Sequence, residues 1–195
     1  MNGRRFEGGT FEGIVKKDCT LEGYTFCDCT FSGCVLENVR LVRCAFSGCR
    51  FTGCRVSEPE TLHSTVSLAV LTDRALVGVD WARLLPAGMF AEPIEAMKGC
   101  RLKYNGFFKI NFRKFTFSGS DLIGCTFGES ELVECDFRDC RLDRTEFFHC
   151  DLRRSDFRSA VGYQIDAAAN KLKDAAFSLP EAVRLLHGLG IRPDG

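Results

Sequence analysis

The chain has 195 residues, 45% of them hydrophobic and 27% charged, and its 26 basic and 26 acidic side chains cancel to a net charge of zero. That is one domain's worth of chain with enough apolar content for a long thin core, and it requires no second domain. Met1–Gly9 has no apolar stretch for a signal peptide and no run approaches the roughly 18 apolar residues of a membrane span, so a cytoplasmic protein without membrane contact is expected.

From the amino terminus a large apolar residue recurs at every fifth position: Phe6, Phe11, Leu21, Phe26, Phe31, Leu36, Leu41, Phe46, Phe51, Val56, then Val66, Leu71, Leu76 and Trp81. Lys16 and Thr61 are the exceptions. A period of five matches neither the 3.6 of a helix nor the 2 of a flat strand, so the chain must turn in the same way after every fifth residue. A narrow solenoid satisfies that, with interruptions expected near 57–65 and 82–99.

Between Trp81 and Leu102 the register slips by one residue, across a segment that contains Pro86, Met89, Phe90, Pro93 and Met97. Two readings stand: a loop that patches the coil where two registers meet, or exposed apolar residues that contact a partner. From Leu102 to Phe157 every fifth residue is again Leu or Phe. Here the charges are blocked. Residues 121–151 hold nine acids, among them Glu129, Glu131, Glu134, Asp136, Asp139 and Asp151, against three arginines, while Arg101, Lys103, Lys109, Arg113 and Lys114 precede them and Arg153, Arg154 and Arg158 follow. Such a belt is either an ordinary solvated face or a local binding surface. Beyond residue 160 the repeat fades, and Pro180 to His187 reads as a short helix that stops at Gly188. Leu179, Val183, Leu186, Leu189 and Ile191 give it an apolar face that could cap the last coil or join two chains.

Two residues before each large residue sits a small one, and eleven of the twelve cysteines occupy that position, Cys27 being the exception. Their register marks them as core filler, not as a disulfide or metal framework. No phosphate loop, HExxH, GxSxG or paired CxxC occurs, and His63, His149 and His187 lie in unrelated segments. No enzyme activity and no cofactor are therefore expected. Direct nucleic-acid binding is not expected either, because no aromatic platform is evident beside the basic run at 101–114.

Stretches such as Cys-Thr-Phe-Ser-Gly at 29–33, Ser-Asp-Leu-Ile-Gly at 120–124 and Cys-Asp-Phe-Arg-Asp at 135–139 resemble the pentapeptide-repeat pattern of a small residue, a polar residue, Leu or Phe, and two variable positions. The resemblance implies an all-β fold: a right-handed quadrilateral parallel β-helix, here over residues 1–160, with a short C-terminal helix in a segment 161–195. Four pentapeptides make one turn, so residues twenty apart stack at the strand spacing of about 4.8 Å.

Val77-Gly78-Val79-Asp80-Trp81, Gly162-Tyr163-Gln164-Ile165-Asp166 and Ala176-Phe177-Ser178-Leu179-Pro180 look like segments of the albicidin- and quinolone-resistance branch of that family. This narrower resemblance implies a homodimer joined through its C-terminal ends that binds type II topoisomerases, chiefly DNA gyrase, and protects them from poisons by DNA mimicry. A net charge of zero fits whole-rod mimicry poorly, which leaves the acidic belt and the mid-chain loop as the places to act. A generic pentapeptide scaffold for an unrelated partner is the alternative.

Overall fold

The computed structural model describes residues 4–73, 75–85 and 94–192. The chain is a right-handed, four-sided parallel β-helix closed by a single short helix. On its first face the strands Arg5–Glu7, Thr25–Cys27, Ala45–Ser47 and Thr65–Ser67 stack in order, with Phe6 opposite Phe26 opposite Phe46 opposite Val66. The second and third faces repeat this with the rows Phe11, Phe31, Phe51, Leu71 and Lys16, Leu36, Val56, Leu76. The fourth face carries Leu21, Leu41 and Thr61, and further along Phe107, Phe127, Phe147 and Ile165.

A corner follows every strand, two residues after the inward one, and there the backbone enters the left-handed region: Gly8, Gly13, Asp18, Gly23, Asp28 and Gly33 open the series. Gly and Asp suit a positive φ because they carry no β-branch and tolerate the tight carbonyl approach. In the later coils the same corners hold Tyr104, Lys109, Lys114, Glu129, Glu134, Arg144, His149 and Arg154. Several of these close a four-residue turn, as when the Phe115 amide donates to the Phe112 carbonyl at 2.9 Å with Lys114 left-handed between them, the requirement of a type II turn.

Inside, rings stack from coil to coil: Phe107, Phe127 and Phe147 lie 4.7 and 5.0 Å apart, and Phe117, Phe137 and Phe157 lie 5.0 and 4.7 Å apart. The small inward residues share one task. The Cys49 thiol donates to the Phe26 carbonyl at 3.5 Å, Cys150 to Phe127 at 3.2 Å and the Ser130 hydroxyl to Phe107 at 3.1 Å. Cys and Ser interchange here because each fits a narrow slot and brings one donor for a carbonyl of the coil below. Burial pushes the Cys125 thiol up to about 11 and Cys135 and Cys140 to about 12, which makes them poor nucleophiles.

The coil runs through 57–65 without a break, since Glu60–Leu62 pairs in register with Arg40–Val42. The interruption expected there is only a change of side chain, Thr61 standing in an inward row of leucines. After Trp81 the coil lengthens. Leu71 faces Met97 and Leu76 faces Leu102, 26 residues apart where Phe51 and Leu71 are 20 apart, so this coil holds six extra residues. Six is one more than a repeat, which accounts for the change of phase. The coil is tied across the insertion by Trp81, which stacks on Phe107 and donates to buried Asn105 at 3.1 Å, while Asn105 donates to the carbonyls of Leu76 and Lys103 at 2.9 Å.

Near the end Phe147 faces Ile165 only 18 residues on, and the 20-residue spacing returns with Asp151 opposite Lys171 and Phe157 opposite Phe177. A 3-10 turn at Glu181–Val183 leads into the helix Arg184–Gly188, whose Leu185 packs on the core. No described helix is long and apolar enough to cross a membrane.

Candidate partner-binding surface

The acids of the belt stand in vertical rows because residues one coil apart share a face. Thr116, Asp136 and Asp156 form one row, and Asn111, Glu131, Asp151 and Lys171 another. Asp136, Asp151 and Asp156 each bind an arginine two residues on. Arg138 forks onto Asp136 through Nε and Nη2 at 2.9 and 2.7 Å, and Arg153 grips Asp151 at 2.8 and 2.7 Å. The Arg138 amide also donates to Asp136 at 3.0 Å, so the pair fixes the turn as well as the charge. The hydrogen bonds from Arg138 and Arg153 hold the carboxyls of Asp136 and Asp151 below the usual carboxylate range.

Bases on neighbouring coils take most of the remaining acids: Lys109 lies 3.4 Å from Glu129, Lys114 and Arg154 lie 3.8 and 2.9 Å from Glu134, and Lys171 lies 3.8 Å from Asp151. Of the six belt residues expected to bind a partner, only Glu131 and Asp139 form no ion pair among the described residues. The linear excess of negative charge at 121–151 is answered by the basic runs before and after it, which stack directly above and below. The surface is a checkerboard of both signs, with a weak field at a distance.

Pro86, Met89, Phe90 and Pro93 lie outside the described residues. Met97 does not belong to an exposed loop: it is 0% exposed, in the inward row of the second face opposite Leu71. A bulge in the strand Ile94–Lys98, where Glu95 is the extra residue opposite the step from Ala69 to Val70, lets the chain regain that row, which turns Met97 inward. At the other end Leu179, Leu189 and Ile191 are exposed, Leu179 by 79%, whereas Val183 and Leu186 are half-buried.

One apolar surface was not expected. On and beside the fourth face Tyr104, Phe108 and Phe148 are 58%, 41% and 52% exposed. Phe108, Gly128 and Phe148 form one outward column, and a Cβ at Gly128 would collide with the Phe108 ring lying over it. Gly124 likewise sits beneath Tyr104, whose Cδ1 would be 2.8 Å from an added Cβ. The Lys109 ammonium lies 5.2 Å from the centre of the Phe108 ring, a cation–π contact. The expectation of no aromatic platform beside the basic run therefore fails. Its sequence signal is a glycine twenty residues after an exposed aromatic, the spacing that lets a ring lie flat on the next coil.

No group of ligating side chains that could hold a metal occurs among the described residues. Stacked coils that bury their large residues along the axis and carry exposed rings on one side define a parallel β-solenoid. The pentapeptide-repeat family model matches residues 17–57, 109–139 and 120–158 with eight copies, so those segments are pentapeptide repeats. Among solved structures it is similar to a trypsin-treated form of QnrB1, a plasmid-mediated fluoroquinolone resistance protein, at 17% identity and a TM-score of 0.52, covering 100% of this chain and 93% of that one. It is also similar to full-length QnrB1 at 18% identity and a TM-score of 0.51, covering 96% and 100%. Among curated proteins no sequence matches.

Proposed function

We propose that the protein binds DNA gyrase, a type II topoisomerase, without catalysis and protects it from a poison, conferring antibiotic resistance or self-immunity. The observation that carries the reading is the likeness in fold, over the whole chain, to a fluoroquinolone resistance protein. The interrupted coil and the exposed rings of the fourth face support it, because aromatic side chains fixed on a rigid surface lose little entropy when a partner covers them. Since most belt acids are already paired, the contact proposed is the aromatic face with the mid-chain insertion, and not a phosphate-like ladder along the rod. The exposed Leu179, Leu189 and Ile191 favour a homodimer through the C-terminal segment.

The test is gyrase supercoiling in the presence of a fluoroquinolone or albicidin, with the protein titrated from stoichiometric to excess. Rescue near stoichiometry is expected, and the double variant Phe108→Ser/Phe148→Ser should need at least about tenfold more protein, the loss of a 1.4 kcal/mol contact. Absence of both rescue and gyrase binding would leave a generic scaffold for another protein.

A further inference from the structure

The first coils are not filled like the later ones. A cavity of about 200 Å³ runs along the axis from the first coil into the third, bounded by Phe6, Phe11, Phe26, Phe31, Leu36 and Val56 among others. The arrangement of the inward rows explains it. In these coils the phenylalanines occupy two adjacent faces, Phe6 with Phe11 and Phe26 with Phe31, so they meet edge to face at one corner, 5.4 and 5.2 Å apart. The other two faces line it with Lys16, Leu36 and Val56 on one and Leu21 on the other, none of which carries a ring. Lys16 takes an inward position in the first coil yet remains exposed, since its ammonium must stay in water, and the mouth is not sealed by a leucine.

We propose that this cavity is a binding site for a small, uncharged aromatic molecule, held inside the solenoid with its ring against the corner of phenylalanines. The volume exceeds that of engineered apolar cavities of about 150 Å³ that stay dry and take up benzene. Walls set edge to face give a guest ring one surface to stack on and one edge to meet. The inner thiols are spent, the Cys34 thiol on the Phe11 carbonyl at 3.5 Å and the Cys54 thiol on Phe31 at 3.4 Å, so a sugar or nucleotide would lose its water there without replacement, and the remaining polar groups of the lining are the Lys16 ammonium and the Tyr24 hydroxyl. This inference is independent of the gyrase reading.

Toluene is the probe. Titration calorimetry on the full chain should give saturable binding of one toluene per chain, and the thermal midpoint should rise with toluene concentration. Nuclear Overhauser contacts should run from the toluene methyl group to the Phe26 and Phe31 rings and not to Phe137. Val56→Phe, which fills the cavity from its own wall, should abolish the heat while leaving the far-ultraviolet circular dichroism unchanged. Absence of saturable binding to the unmodified protein, or contacts to Phe137 in place of Phe26, would overturn the proposal without recourse to any variant.

Discussion

The two halves of this solenoid follow the same five-residue rule and arrive at different interiors. In the first three coils the phenylalanines stand on two adjacent faces, with Lys16, Leu21, Leu36 and Val56 on the other two; from Phe117 to Phe157 they stand on opposite faces, as Phe117 and Phe127 do, and meet edge to face across the axis at 5.7 Å. The consequence is visible in burial. Phe26, Phe31 and Phe46 keep 7–9% exposure, whereas Phe107, Phe117, Phe127, Phe137 and Phe157 have none. The inward rows before the insertion also hold Lys16, Val56, Thr61 and Val66, whereas from Leu102 to Phe157 they hold only Leu and Phe, so both the size of the inward residues and their order around a coil decide how fully a narrow β-helix packs.

The largest break in that comparison should come from removing a ring. Phe127→Ala should cost about 4–5 kcal/mol, because the site is walled by stacked rings and cannot collapse, while Phe26→Ala beside an existing void should cost at least about 1 kcal/mol less. Urea unfolding with an unchanged m-value measures both. Adding a ring should reverse the contrast. Val56→Phe enters empty space and should stabilise by up to about 1 kcal/mol, whereas Leu122→Phe forces an already full coil and should cost about 1–3 kcal/mol; thermal melts of the two variants would show opposite shifts.

A smaller effect concerns charge. The folded-state value of Asp151 lies below its unfolded one, so its stabilisation is present above the unfolded value near 3.9 and is lost as pH falls through the folded one. Asp151→Asn should therefore flatten the acid limb of the stability profile below about pH 4 and change little at neutral pH beyond about 1 kcal/mol. The smallest effect is expected at Tyr163, fully buried between Phe157 and Phe177 with a hydroxyl that has no hydrogen-bond partner among the described residues. Tyr163→Phe should be neutral or stabilise by up to about 1 kcal/mol, since it removes an unsatisfied buried group and keeps the ring; the same denaturation series checks it.

Much of this was legible in the residues. The five-residue period marks the corners and the inward rows, and Cys at the small position marks the thiols as filler. The phase change after Trp81 marks the one place where the coil is longer. The candidate surface was harder to read. Met97 looks like part of a loop until the bulge at Glu95 brings it back into the row, and Tyr104 and Phe108 look like two more aromatics until Gly124 and Gly128 are seen beneath them. The acidic belt was misleading for the same reason, because charge counted along the chain ignores the coils above and below.

What the sequence determined by itself is everything repeated locally: the turn after each fifth residue, the side each residue faces, and therefore the fold. These follow from sterics within one pentapeptide and recur without reference to the rest of the chain. What only the tertiary structure decided is the pairing between coils: Lys109 with Glu129, Arg154 with Glu134, a ring over a glycine, a cavity opposite two phenylalanines. Those contacts join residues a full coil apart, the coil is 20 residues in one place, 26 in another and 18 in a third, and contact energies depend on which side chains actually meet.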